Sequence, residues 1–198
     1  MAITRVKASS LTQGLPKKKT ILAGNDVILP GSYEAIGTAS GTGSSGTITF
    51  SSIPGTYKHL QIRYIGRSSI TGVAGTTLRM RINGYTSTYP LHRLYGNGTS
   101  ATAYASTTEV YLQDVMSAAT NSATASVFGA GIIDILDYAN TNKNKTVRSL
   151  SGIDNNGSGD IIFGSGLYQQ TTAITSITLE ANGGNWLVNS QFDLYGIK

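Results

Sequence analysis

The sequence predicts an all-β protein, an antiparallel, jelly-roll-like β-sandwich of about ten short strands with an extended N-terminal arm. The 198 residues include 24 glycines, and Ser, Thr and Asn are abundant, a composition that disfavours helices. Apolar and polar residues alternate with a period of two in several segments. Turn-forming residues separate these segments at short intervals, as in all-β sandwiches.

The N-terminal arm is predicted to cover residues 1–31, and the β-sandwich residues 32–198. Gly14, Pro16, Gly24, Pro30 and Gly31 interrupt any long element in the arm. Only short apolar pieces lie between them, and these are too small to form a core. We therefore expect an extended segment that becomes ordered on contact with another subunit.

The excess positive charge lies in this arm. The protein has 15 Lys and Arg against 10 Asp and Glu, and the first 25 residues contain five of the bases and no acid. The remainder is therefore balanced, which argues against nucleic acid as the partner. We expect the arm to bind an acidic surface of another protein through Arg5, Lys7, Lys17, Lys18 and Lys19.

The predicted strands follow the period-two alternation along the chain. HLQIRYI (59–65) alternates Leu60, Ile62 and Tyr64 with polar residues, and TTLRMRI (76–82) repeats the pattern before Asn83-Gly84, a hairpin-turn signal. A GxGxxG match at 41–46 leads directly into a strand, so it is interpreted as a flexible loop, not a nucleotide site. The other predicted strands lie at 47–51, 91–95, 109–114, 126–138, 146–152, 160–164, 174–180 and 191–196.

Asp134 and Asp137 lie within an apolar run, where an unpaired charge is costly. The run is rich in β-branched residues and precedes the turn-forming cluster ANTNKNKT, so it is predicted to be one arm of a hairpin. A spacing of three on a strand places the two carboxylates on opposite faces of the sheet. We therefore expect no joint catalytic or metal-binding role.

The segment DNNGSGD is the candidate metal site of this chain. Asp154, Asn156 and Ser158 occupy the first, third and fifth positions of a calcium loop, and Asp160 is a further candidate ligand. The glutamate expected at the twelfth position is replaced by Ser165. Hairpin loops favour the same residue types, so a plain turn is the preferred interpretation and no cofactor is expected.

The sequence gives little support for catalysis, export or membrane insertion. The chain has no cysteine, and its two histidines, His59 and His92, lack an adjacent Ser or Asp partner in the sequence. The protein is therefore predicted not to be an enzyme. No signal-peptide core follows Met1, and no apolar stretch approaches the ~20 residues that span a bilayer, so neither that export route nor membrane insertion is expected.

Several longer segments carry a family resemblance. They are FSSIPGTYKHLQIR (50–63), FGAGIIDILDYANTNKNKTVRSLSG (128–152), SGLY (165–168), AITSITLE (173–180) and LYGIK (194–198), with SYEAIGT (32–38) before them and LAGND (22–26) in the arm. With these motifs the chain resembles a family of small structural proteins of tailed bacteriophages that is common in phages of aquatic bacteria. The resemblance extends over nearly all of the chain from Tyr33 onward.

The resemblance implies a place in the virion, after synthesis in the host cytoplasm, and brings no catalytic residues. A tail-associated or fibre-like position with host-surface contact is expected, with a head-decorating (cement) protein on the capsid as the alternative. A free carbohydrate-binding module is a third interpretation. The expected partners are tail, portal or capsid proteins, further copies of the chain and a host-surface glycan. Analogy with jelly-roll modules favours a homotrimer.

Overall fold

The computed structural model describes residues 20–21, 27–28, 32–113 and 116–198. The chain divides into two compact units, Met1–Ser32 and Tyr33–Lys198. In the first, β1 (Thr20–Ile21) pairs antiparallel with β2 (Val27–Ile28). The rest of the predicted extended arm, with its five basic candidate residues, lies outside the described residues.

The second unit is an antiparallel β-sandwich, as the sequence predicts, and contains no helix among the residues described. It has twelve strands, where about ten were predicted. The chain crosses repeatedly between its two sheets, which are unequal in size. The large sheet contains, in spatial order, β3 (Tyr33–Ser40), β14 (Gln191–Ile197), β5 (His59–Gly66), β10 (Gly129–Leu136), β11 (Lys145–Asp154), β12 (Gly159–Tyr168), β7 (Leu91–Gly96) and β8 (Ala101–Ser106). The small sheet contains β4 (Thr47–Phe50), β13 (Ile177–Ala181), β6 (Gly75–Ile82) and β9 (Ser117–Ala119).

The core lies between the two sheets and is built from one face of each strand. Leu60 and Ile62 of β5 are fully buried, and so are Leu78 and Met80 of β6, which confirms the predicted alternation in both segments. Trp186 packs edge-on against Phe192, with ring centroids 4.8 Å apart. The chain itself thus covers the inward face of the large sheet, and the described residues leave its outward face uncovered.

The structure corrects several predicted elements. The strand predicted at 109–114 is absent from the described residues of that segment, where Leu112 forms only an isolated bridge with Met80. Strands β3, β8 and β9 were not predicted, because Ala, Gly, Ser and Thr leave them without an apolar alternation.

Two predicted loops form with different roles. Asn83 and Gly84 adopt the positive φ values (49° and 66°) of a tight turn, but the turn joins strands of different sheets instead of the arms of a hairpin. The GxGxxG segment is a loop between β3 and β4, packed against the residues before β14: a Cβ on Gly41 would lie 2.2 Å from the Leu187 carbonyl oxygen.

Two buried cations fasten loops onto the sandwich. The guanidinium of Arg67 donates hydrogen bonds of 2.7–3.0 Å to three carbonyls of residues 123–127. The ammonium of Lys145 donates to the carbonyls of residues 170, 171 and 172, at 2.5–3.3 Å. Charge-assisted bonds of this kind offset the cost of burying a cation, so both loops are held firmly.

Candidate functional site

A row of apolar side chains crosses the outward face of the large sheet. The strand register aligns Ile132 of β10, Leu150 of β11, Phe163 of β12, Leu94 of β7 and Ala103 of β8 as successive neighbours. The four large members are between 41% and 59% exposed. Because inward positions alternate with outward ones, these side chains point away from the core. We call the row of these five residues the apolar ridge.

A second row runs parallel to the ridge and contains three small residues and one isoleucine. Ala130, Gly152, Ile161 and Gly96 are successive neighbours across β10, β11, β12 and β7. Together with Ile132 and Leu150 of the ridge they line a hollow of about 890 Å³. We call the two rows together the apolar face.

A second hollow, of about 520 Å³, adjoins the opposite side of the ridge. It lies between Phe163 and Leu94 on one side and Ala105, Ser165 and His92 on the other. The ridge therefore has a depression on each flank. The outward surface of the large sheet therefore has a row of protruding side chains with a hollow on each side.

A third row lies on the side of the ridge that adjoins this second hollow. It is polar, and its charges compensate each other. Gln61 donates a hydrogen bond of 2.8 Å to Asp134, and Arg148 lies 3.9 Å from the other oxygen of this carboxylate. Ser165 and His92 follow in the same row, on β12 and β7. Asp134 therefore has a local cationic and amide environment and does not lie unpaired within an apolar surface.

The part of the same sheet formed by β3, β14 and β5 is polar and aromatic. The guanidinium of Arg63 lies 5.5 Å from the ring centroids of both Tyr33 and Tyr195. Asp193 accepts a hydrogen bond of 2.7 Å from Thr38. Polar groups are concentrated here, whereas large apolar side chains dominate the neighbouring strands.

The outward face of the small sheet differs in composition. Its side chains are hydroxyl-bearing or charged, and the hydroxyls of Thr49 and Thr178 lie 3.2 Å apart. The guanidinium of Arg81 covers the ring of Tyr111 at 4.1 Å. We call this the polar face; its residues are Thr47, Thr49, Thr178, Glu180, Arg79 and Arg81.

Asp134 and Asp137 have separate surroundings. Strand β10 ends at Leu136, so Asp137 lies in the following turn, with φ of 50°, and not on the strand as predicted. Its carboxylate accepts a hydrogen bond from Lys143, which holds the pKa of Asp137 below its ordinary value. The two aspartates share no partner among the contacts described here.

His59 lies beside Asp137, a proximity that the sequence did not reveal. The Asp137 backbone N–H donates a hydrogen bond of 3.0 Å to Nδ1 of His59, whose distance to the carboxylate is 3.7 Å. Because Nδ1 already accepts this hydrogen bond, the contact differs from the Nδ1–H···carboxylate bond of a catalytic triad. His92 faces Ser165 across β7 and β12, and Arg148 separates that serine from Asp134.

The candidate calcium loop is a hairpin turn between β11 and β12. Asp154 accepts a hydrogen bond of 3.0 Å from the Asn156 backbone N–H, which closes an Asx turn. Asp154 lies on the outward face, whereas Asp160 lies on the inward face and accepts a hydrogen bond of 2.9 Å from Ser117. The two carboxylates are thus on opposite sides of the sheet. Ser158 pairs with Asn155 across the turn.

Burial near the end of the core raises the pKa of Asp160 above its ordinary value, an effect that Ser117 and Arg93 oppose. In the ranges that the structure describes, no three His, Cys, Asp or Glu side chains are grouped so that they could hold a metal ion.

The apolar face was not predicted from the sequence, although the pattern of apolar residues in β10 and β11 indicates it. GAGIIDIL and the outward Leu150 combine apolar residues at both parities, a pattern typical of strands that are covered on both faces. Interpreted in that way, β10 and β11 would have indicated a second covered surface. The register that adds β12 and β7 is long-range and leaves no local trace.

Comparison with known proteins does not connect the chain to a family. No family model, no curated protein and no solved structure matches the chain. In the portion of the chain described by the structure, no helix is long and apolar enough to cross a membrane.

Proposed function

We propose that this protein is a non-enzymatic structural protein of a tailed-phage virion and that the apolar face is an assembly surface. The apolar ridge, crossing five strands with its large side chains exposed, is the observation that carries this proposal. Soluble monomers rarely expose contiguous apolar patches beyond a few hundred Å². A partner that covers the ridge removes this surface from water.

The disposition of the ionisable groups supports a structural role. The described carboxylates discussed above are distributed between the turn after β10, the outward face and the inward face. Each of Asp134, Asp137 and Asp160 contacts its own hydrogen-bond partner. Acid–base catalysis requires groups that converge on one substrate atom, and these three do not converge.

The position in the particle follows from the resemblance. We propose a tail-associated or fibre-like module, attached to tail or portal proteins through residues 1–31. In the alternative, a head-decorating protein, the same arm holds neighbouring capsid subunits together. Both positions use a compact sandwich as a rigid body that assembles through its surface.

Quantitative mass spectrometry of purified particles tests the virion assignment. We expect a fixed copy number of a few to tens per particle, with immunogold label at the tail. Hundreds of copies spread over the head would identify the decorating protein instead. If washed particles contain no copies, the virion proposal is wrong.

Recognition of a host-surface glycan is a second candidate function, favoured by one observation. Tyr33 and Tyr195 flank Arg63 on the outward surface, and Asp193 lies opposite Arg63 on the next strand. Aromatic faces and planar polar groups side by side suit the apolar and hydroxyl faces of a sugar ring. We expect glycan-array binding by the protein to be lost in Tyr33→Ala and retained in Tyr104→Ala, a control at an exposed tyrosine of β8. Absence of binding to every glycan would eliminate this candidate.

A further inference from the structure

We infer that the apolar face is covered by the same face of a second copy of this chain. The inference rests on the proposed function in taking this face as an assembly surface, and it adds the identity of the partner. Three properties of the described residues carry it: the extent of the face, its relief and its charge.

The face is large enough to form the centre of a specific interface. Five strands at a spacing of ~4.8 Å extend about 24 Å across the sheet, and the two rows of the face occupy about 14 Å along the strands. The flat projection is therefore about 340 Å², and the relief of the side chains increases the accessible area. One partner of a standard protein interface contributes ~800 Å², so the bordering polar residues complete the contact.

The relief of the face is complementary to itself. Stacked sheets lie ~10 Å apart only when the large side chains of one enter spaces in the other. Leu150 and Phe163 provide the knobs, and the small residues Ala130, Gly152 and Ala105 line the hollows on either side. A second copy that is displaced by half the row spacing places its ridge in these hollows.

The charge of the face also favours an identical partner. Its border carries two acids, Asp134 and Asp154, and two bases, Arg148 and Arg63, so the charges balance. Asp134 and Arg148 lie 3.9 Å apart. A strongly acidic or basic partner would find no opposite charge to pair with and would lose hydration. The chain itself presents a suitable partner surface, one that is apolar at its centre and balanced at its border.

Contact between identical faces is isologous, so it closes as a two-fold dimer. This differs from the trimer that fold analogy favours, because a three-fold ring joins two different surfaces of each subunit. The trimer requires a second apolar surface as the counterpart, whereas the polar face of the small sheet is hydroxyl-bearing and charged.

Sedimentation equilibrium of the full chain over a wide concentration range tests the inference. We expect a reversible monomer–dimer equilibrium. Leu150→Glu should raise the dissociation constant at least ~100-fold, because an unpaired carboxylate enters an apolar contact. The matched control Thr49→Glu should change the dissociation constant by less than ~3-fold. Leu94→Glu, at the most exposed ridge position, is the second variant and should reproduce Leu150→Glu. Circular dichroism verifies that each variant is folded.

Three outcomes would overturn the inference. They are a chain that is monomeric at every concentration, folded Leu150→Glu and Leu94→Glu variants that both associate as tightly as the unchanged chain, and an assembled species with the mass of a trimer. Particle composition separates this inference from the proposed function. A monomeric chain that is present in virions disproves only the dimer, whereas a dimer that is absent from virions disproves only the virion role.

Discussion

The two outward faces of the sandwich obey the same alternation and differ in chemistry. On the small sheet, outward positions carry Thr49, Thr178 and Glu180, as expected of a surface in contact with water. On the large sheet, equivalent positions carry Leu150 and Phe163, each at least half exposed. The polar face shows that this chain supplies polar residues where a sheet is solvated. This contrast supports our proposal that the apolar face is covered by a partner.

The first prediction separates the inward and outward sides of the large sheet and has the largest effect. Ile132 and Ile133 are adjacent in β10, but the first is 41% exposed and the second fully buried. Ile133→Ala should lower the free energy of unfolding by ~2–5 kcal/mol, because it leaves a cavity. Ile132→Ala should cost less than ~1 kcal/mol in the monomer. Denaturant unfolding at a concentration where the chain is monomeric measures both; equal losses would contradict the assignment of faces.

The second prediction compares two glycines of the large sheet. A Cβ on Gly131 would lie 2.6 Å from the ring of Tyr64. The Tyr64 hydroxyl donates a hydrogen bond of 2.8 Å to the Ser117 carbonyl, which fixes the ring in place. A Cβ on Gly96 would make an ordinary contact of 3.5 Å with Ile161. Gly131→Ala should therefore cost ~1–3 kcal/mol through overpacking.

Gly96→Ala is the matched control for that overpacking. Its effect on the free energy of unfolding should stay within ~0.5 kcal/mol. Thermal unfolding followed by circular dichroism compares the two variants. A larger loss for Gly96→Ala than for Gly131→Ala would show that the outward hollow is already filled by the chain itself.

The third prediction concerns the inward carboxylate of Asp160. Burial raises its pKa in the folded protein, so the folded state binds this proton more tightly than the unfolded chain does. The ionised group therefore lowers stability at neutral pH, and the penalty disappears as the pH falls through the raised pKa toward the unfolded value. Asp160→Asn, which retains an acceptor for Ser117, should be more stable than the unchanged protein at pH 7 and lose this advantage in acid. A constant difference at every pH would contradict the effect of burial.

The fourth prediction applies to the polar face and has the smallest effect. Thr49 is exposed, on a strand at the edge of the small sheet. Thr49→Ser should change the free energy of unfolding by no more than ~0.5 kcal/mol, as is usual for surface substitutions. The sedimentation behaviour should be unchanged. A loss of self-association in this variant would assign the interface to the small sheet.

Sequence patterns predicted the parts of the fold in which local alternation coincides with burial. Strands β5 and β6 and the β10–β11 hairpin are of this kind, since one parity of each strand enters the core. Strands β3 and β8 are at the edges of the large sheet, and their small residues produce no apolar period. Their formation depends on pairing with β14 and β7, which are distant or weakly patterned in sequence.

The candidate site was less predictable than the fold. The apolar ridge exists because the register sets Phe163 opposite Leu94, 69 positions away in the chain. Neither residue is unusual in its own segment, and only the pairing of β12 with β7 makes them neighbours. The contact of His59 with Asp137 has the same origin, since β5 and β10 are paired. Long-range register is a tertiary property that period-two patterns do not encode.

Site-specific labelling tests the central claim most directly, because the chain has no native cysteine. Ala130→Cys places a thiol in the hollow of the apolar face, and Thr49→Cys places one on the polar face. The account predicts that maleimide labels Ala130→Cys readily in dilute protein and far more slowly as the concentration rises, while Thr49→Cys reacts equally at all concentrations. Labelling of Ala130→Cys that does not depend on concentration, whether fast or slow, would contradict it.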